Sequence, residues 1–406
     1  MKLDPCRRAL AVAAAAYLLL LPSNAISFWR SLAFATAAAS ALVVVASGRR
    51  LPEARIPSPG GALLAALAAW SGWAVASLAW SIDPAFTLGE IKSDVLWGLL
   101  TAFLFYVAAT GGAGRTLLGA ALAGLAFWPA LALGLELSPA GWNARLAHMG
   151  VVAYSTYLAT CAPLLLLLAW PPPAGWNARP AALAVAVLLL ALLVVTARMS
   201  DNRIVWLALG VALTVAVVFG QPGGARRRAT LAAAAAATLF GLLFVDAMRD
   251  RARDVYPPQT TVEDTLVHDP RLAIWRHAGE HIRDRPLTGY GYGRLILKDE
   301  LRADTGDHLL THAHNMFVSQ WLQTGAIGVA LLVALFAAAG ARYAGLVRSG
   351  DDTLRRYGAL GLAVLAGFVV KNLTDDFFFR ANAKLLLAVN AIVLGAAVVR
   401  ERELRR

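Results

Sequence analysis

Apolar stretches close to twenty residues long alternate with short polar connections along almost the whole chain. They run roughly over 9–24, 28–48, 61–80, 93–110, 116–136, 150–170, 181–197, 203–220, 229–247, 314–340, 357–374 and 381–399. A helix of about twenty apolar residues crosses a bilayer core of roughly 30 Å. The pattern therefore predicts an all-α polytopic integral membrane protein of about twelve transmembrane helices. Connections such as SGRRLPEARIPSPGG, PPPAGWNARP and QPGGARRRA carry the Pro and Gly expected of loops. The Ala-rich run at 231–237 is low in complexity but apolar, and reads as part of a span. No internal repeat stands out, which weighs against a transporter built from inverted halves.

The alternation fails once, at 248–313, where a long polar segment separates two blocks of spans. The expected organisation is thus helices 1–9 over 1–247, a loop domain over 248–313, and helices 10–12 with a tail over 314–406. Composition agrees: 15% of residues are charged, against about 25% in soluble domains, and mean hydropathy is +0.60. The net charge of +12 invites a nucleic-acid reading, but its placement argues otherwise. With the N-terminus in the cytoplasm, nineteen Lys and Arg fall on the inner side and eight in the short outer loops and span ends. That asymmetry is a topology signal, in which long loops count little. Both termini are expected in the cytoplasm, with no nucleic-acid partner. The basic, apolar start MKLDPCRRALAVAAAAYLLLLPSNA resembles a signal peptide and is expected to stay as an uncleaved first helix. Cys6 and Cys161 suggest neither a disulfide framework nor a thiolate metal site.

Six of the seven histidines lie between 268 and 314. Within this segment Asp269-Pro270 supply an N-cap and a first-turn proline, predicting a helix over RLAIWRHAGEHIRDR that ends before Pro286. Arg271, Trp275, Ala278 and Ile282 share one face of it. LTGYGYGR follows as a tight, exposed turn whose GxG is a weak phosphate-loop signal. His277 and His281 flank Glu280 in an order unlike HExxH, and His312 and His314 are expected to diverge on an extended segment. No metal site is expected.

Three constellations carry candidate chemistry. In THAHNMFVSQWLQTGAIG a helix starting near His314 places Gly325 and Gly328 on nearly the same face, a small-residue stripe of the kind that packs membrane helices closely. His314 then points into the protein, where the positive helix start disfavours protonation and a neutral imidazole can act as general base. The competing reading is that His314 and Asn315 cap the helix and reach to headgroups. In TARMSDNRIVWLALG, Arg198 and Arg203 stand at phosphate depth. Guanidinium pairs well with phosphate oxygens, although interfacial anchoring is an equally ordinary use. In KNLTDDFFFRANAK, Asp375 and Asp376 either accept from an imidazole or an arginine, or simply end a helix in water.

Together these residues resemble a family. His314-Asn315, nine residues, then Gly325-x-x-Gly328 is similar to the H-N-x9-G-x-x-G pattern of bacterial O-antigen ligases. Arg203 before Trp206, and Arg271-x3-Trp275 followed by PLTGYG, resemble that family's outer arginine and the start of its long periplasmic loop; Asn202 departs from the serine common there. The resemblance implies a GT-C-like, inverting, metal-independent glycosyltransferase with no cofactor, in the bacterial inner membrane with its site on the periplasmic face. It further implies a donor glycan on undecaprenyl diphosphate, a lipid A–core acceptor, and surrounding membrane lipid. His314 would be the base and Arg203, Arg271 and Arg198 would bind the diphosphate. Asn315, Asp375, Asp376, His312 and Trp275 would support them. An O-antigen polymerase is expected to show two long outer loops, and a protein O-oligosaccharyltransferase a C-terminal extension. A transporter would carry ionisable groups or broken helices at mid-membrane.

Overall fold

The computed structural model describes residues 4–48, 56–135, 150–169, 179–221, 226–254, 269–305 and 311–406. His148, His268 and His308 lie outside them, as do much of the 248–268 stretch and the QPGG and PPPAGW connections. Among the described residues the chain is helical without strands. Among these described residues nine helices are long and apolar enough to cross a membrane, where the alternation predicts twelve spans. The difference lies in three places. The stretches at 93–110 and 116–136 fall in one apolar run, Pro84–Gly134, bent at Gly112 with φ 99°. Asp4–Leu20 and Ile204–Gly220 are each 17 residues long. The chain is a multi-pass membrane protein.

Helices Ile204–Gly220, Asp352–Lys371 and Arg380–Leu404 form the middle of the bundle. Small residues set their approach. At Gly367 an added Cβ would stand 2.8 Å from Cβ of Ala212 and 3.5 Å from Ala208 O. Backbones that come this close gain dispersion contacts that lipid does not supply. Peripheral helices show the converse: Leu183, Val187 and Leu188 on Arg179–Met199 are exposed, as a lipid-facing surface requires.

The helix that begins at the expected histidine cluster spans Met316–Val347, and it is broken at Gly325, with φ 69° and ψ −173°. A break in a membrane helix frees carbonyl and amide groups that need partners. The loop 286–293 supplies them. Leu322 O accepts from Tyr290 N and Gln323 O accepts from Gly291 N, each at 2.9 Å, and Ala326 N donates to Pro286 O at 2.8 Å. Thr324 O takes the Trp73 indole N–H at 2.9 Å. The loop's other edge is held by the 77–90 segment, where Ile82 N donates to Tyr290 O and Tyr292 N to Ser77 Oγ, both at 3.0 Å.

Two expectations change here. LTGYGYGR is not an exposed turn: Gly289 through Gly293 are buried. The glycines at 325 and 328 do not mark helix–helix packing. A Cβ on Gly325 would fall on the backbone of Leu287 and Thr288, and one on Gly328 would meet the Thr324 side chain of its own helix. Gly325 receives the loop, while Gly328 packs within its own helix.

Candidate functional site

One end of the bundle gathers segments 198–203, 269–294, 311–320 and 371–380. Asn315, not His314, caps the Met316–Val347 helix: its Oδ1 accepts from Phe317 N at 2.9 Å and Val318 N at 3.1 Å. Its Nδ2 donates to Leu373 O at 2.8 Å, tying the cap to the 372–379 turn. His314 therefore precedes the helix and stands in the left-handed region at φ 48°. Helical spacing therefore does not carry its side chain onto the face of Gly325, and the residue is half-buried.

The left-handed residue also overturns the expected divergence of His312 and His314. The chain turns there, and the two imidazoles lie face to face with centroids 3.8 Å apart at 34°. Arg294 Nη2 contacts His312 Nε2. Guanidinium can only donate, so that nitrogen is the acceptor and the proton sits on Nδ1, which faces Thr311 Oγ1 at 3.1 Å. His312 is thus neutral; burial, then Arg294, push its pKa down. The segment is pinned from the other side by Trp275, whose Nε1 donates to Ala313 O at 2.6 Å. Trp275 belongs to the predicted helix, observed as Pro270–Asp284 with Asp269 accepting from Arg271 N at 3.0 Å. Its buried face carries Ile274 and Ala278 against Tyr290, Ile296 and Ala313.

Cations and carboxylates interleave around the histidines. Asp269 Oδ2 lies 3.4 Å from Arg203 Nη2 and 3.3 Å from Arg271 Nη1, so one carboxylate bridges both arginines. Arg203 also rests on Met248 Sδ at 3.3 Å. Arg271 Nη2 is 4.0 Å from Asp375 Oδ1. Asp375 in turn pairs with Lys371 one turn earlier, and accepts from Asn202 Nδ2 at 3.3 Å. Asp376 sits 3.4 Å from Arg294 Nε, and the Arg294 guanidinium lies over Phe379 at 4.3 Å and Phe377 at 5.2 Å. Far from ending a helix in water, Asp375 and Asp376 are 2% and 5% exposed.

Four cations (Arg203, Arg271, Arg294 and Lys371) face three carboxylates, leaving about one positive charge with both imidazoles neutral. Burial first, and then the Arg271 charge, lower the His314 pKa to about 4, against the opposing pull of Asp375. Burial raises that of Asp376, which Arg294 and the Ser319 hydroxyl oppose. Such a site offers a neutral nitrogen base beside guanidinium groups, suited to an anionic, oxygen-rich ligand.

Arg198 is not in the cluster. It projects from the Arg179–Met199 helix, half exposed, onto Asp250. His277 and His281 pair with Glu280 at 3.2 Å and Asp304 at 2.8 Å. Among the described residues no three His, Cys, Asp or Glu converge as a metal site. Reading the sequence missed Arg294, Lys371 and the bridging role of Asp269. The i, i+4 spacing of Lys371 and Asp375 was visible. The approach of Arg294 was not, because it depends on the loop docking into a helix break thirty residues away.

Residues 188–333 match the family model described as O-antigen ligase. The stretch contains Arg203, Asp269, Arg271, Arg294, His312, His314 and the broken half of the Met316–Val347 helix, while Lys371, Asp375 and Asp376 lie beyond it. No curated protein matches the chain. The likeness to the O-antigen ligase family therefore covers the segment 188–333, which holds most of the candidate site.

Proposed function

We propose that the protein is an O-antigen ligase that moves a glycan from undecaprenyl diphosphate to a sugar hydroxyl of lipid A–core. The observation that carries this reading is a half-buried His314 beside Arg271, with Arg271 and Arg203 held side by side by Asp269. In the reaction His314 takes the proton of the acceptor hydroxyl as its oxygen attacks the anomeric carbon. The new glycosidic C–O bond forms as the bond to the diphosphate breaks, and the electron pair leaves on the lipid diphosphate. Arg203 and Arg271 stabilise the charge that builds there. Attack opposite the leaving group inverts the anomeric carbon. A diphosphate is a good leaving group, so neither a carboxylic acid to protonate it nor a metal is required of the protein.

A base with a pKa near 4 is weak. A bound diphosphate places negative charge against the arginines that depress it, which raises His314 toward the pH at which a base works best. The donor thereby activates the base. His312, Asn315 and Trp275 hold His314 in its turn, while Asp375 and Asp376 set the spacing of the cations.

In this reading the fold is GT-C-like with twelve spans, both termini are cytoplasmic, and 248–313 forms a periplasmic domain between the helices of 1–247 and those of 314–406. The site then opens on the periplasmic face of a bacterial inner membrane. Purified His314→Ala should bind donor normally and transfer no glycan. Transfer at the wild-type rate would remove the base assignment. Offering a protein acceptor in place of lipid A–core separates a ligase from a protein O-oligosaccharyltransferase.

A further inference from the structure

A second group of cations begins one residue past Phe379, the ring on which Arg294 lies. Three segments meet there: the starts of Ser27–Gly48 and Arg380–Leu404, and the wide turns of Ile91–Leu96. Phe34 meets Trp97 edge-on, with centroids 5.3 Å apart, and a Cβ on Gly98 would stand 3.1 Å from Leu387 Cδ1. One turn before these contacts stand Arg30, Asp94 and Lys384, at one level of the bundle. Arg380 joins them: its backbone N–H donates to Asp94 Oδ1 at 2.9 Å and its Nη2 to Glu90 Oε1 at 3.1 Å. Lys384 interacts electrostatically with Asp94, Arg30 and Arg380.

The group holds more donors than the protein engages. Arg30 uses only Nη1, on Ser23 O at 2.7 Å and on Leu21 O and Asn24 Oδ1 at 3.4 Å. Among the described residues its Nε and Nη2 have no partner, and half-buried Lys384 has neither a hydrogen bond nor an ion pair. Three cations (Arg30, Arg380 and Lys384) thus face two carboxylates, Asp94 and Glu90. All three stand in the first two turns of a helix, where the backbone is itself positive and favours an anion. Phe28 and Trp29, 69% and 60% exposed, precede Arg30, as aromatic residues do at the headgroup level of a bilayer. An anion that completes the group therefore lies at phosphate depth and reaches it through the membrane. Guanidinium and ammonium together suit phosphate oxygens. In the reaction proposed above, Arg203 and Arg271 take the diphosphate of one lipid, and transfer needs a second lipid beside it.

We infer that Arg30, Arg380 and Lys384 bind a phosphate ester of the acceptor glycolipid, and so select which lipids receive the glycan. This rests on the transfer proposed above, but it concerns binding and is tested without glycan transfer. The probes are lipid A–core and its dephosphorylated form, bound to the purified protein in phosphatidylcholine nanodiscs. Wild type should bind the phosphorylated form at least about tenfold more tightly, as a charge-assisted hydrogen bond provides. Lys384→Gln should cut that preference while leaving the binding of undecaprenyl diphosphate unchanged, and Lys384→Arg should keep it. Equal affinities in wild type, or a preference undiminished by Lys384→Gln, overturn the inference. Displacement of lipid A–core by an equal concentration of phosphatidylglycerol overturns it too, by making the group a general lipid anchor. A photoreactive benzoylphenylalanine in place of Trp29 leaves the cations intact and guards against a misfolded variant. It should label the phosphorylated acceptor, and equal labelling of the dephosphorylated form counts against the site. Should the phosphate preference hold while no glycan is transferred, the site stands and the ligase reading fails. Transfer that ignores the phosphate leaves the ligase reading and removes the site.

Discussion

Replacing Gly325 by alanine tests whether the loop in the helix break holds the site together. At φ 69° and ψ −173° the backbone occupies a region that is essentially glycine's alone, at a cost of about 1–3 kcal/mol for other residues. The added Cβ also lands on the carbonyl group of Leu287, backbone that no rotamer change can move. Relief comes by straightening the helix, which returns the Leu322 and Gln323 carbonyls to their own turn and expels the loop. The buried amides of Tyr290 and Gly291 then lose their acceptors, at about 1 kcal/mol each. Together these amount to about 3–5 kcal/mol, or roughly a 100- to 5,000-fold loss if docking is needed for turnover. Arg294 leaves with the loop, and with it the partner of Asp376 and His312. Two measurements check this: hydrogen exchange at the 290 and 291 amides, and the rate of glycan transfer. The comparison is Gly340→Ala on the same helix, where an added Cβ has nothing within 4 Å and alanine is the better helix former, so its loss should stay within about fivefold. Fast exchange at these amides together with near-normal transfer in Gly325→Ala would show that the loop does not organise the site.

Three further outcomes follow from the geometry. Arg198→Ala removes an exposed pair with Asp250, of a kind worth about 0–1 kcal/mol, so transfer should change less than about twofold; a tenfold loss returns Arg198 to the site. Lys371→Met strands the buried Asp375 charge and should lower stability by about 3–5 kcal/mol in thermal unfolding, with the Lys371→Met, Asp375→Asn double variant recovering part of it; a harmless single variant refutes the pairing. The active form of His314 is neutral and its pKa is lowered to about 4, so kcat/KM should stay flat as pH falls past 6.5 and drop only near 4. Arg271→Gln removes a depressing charge and should move that limb upward, and a wild-type limb near 6.5 contradicts the burial.

The spans were legible because hydropathy is a local property, and Asp269-Pro270 announced their helix because capping needs only a few consecutive residues. His314, Arg203, Arg271, Asp375 and Asp376, all named from the sequence, come together at one end of the bundle. Spacing alone had left His314, Arg203 and the two aspartates each with a bland alternative. What settled their burial were partners far along the chain, such as Asn202 for Asp375 and Leu373 for Asn315. The helix start was misplaced by two residues because Asn315, able to accept two amide protons, is the better cap. That small slip mattered, since it replaced a turn with a helical face. The divergence expected of His312 and His314 has the same root: an extended backbone was assumed where one left-handed residue stacks the rings. Arg294 and the glycine loop form a nonlocal pairing that no window of sequence contains.

The break at Gly325 also bears on how the chain is made. From Ala326 to Val347 there are about 22 residues, enough to cross a bilayer core of roughly 30 Å without help. The nine residues before the break include Ser319, Gln320, Gln323 and Thr324, all buried against protein. The insertion machinery therefore meets a self-sufficient span preceded by a polar crown that lipid would reject. The crown can settle only when the loop emerging before it folds back to meet its open carbonyls. Biogenesis thus divides in two: the spanning rod enters the membrane first, and the reaction chamber assembles on top of it afterwards.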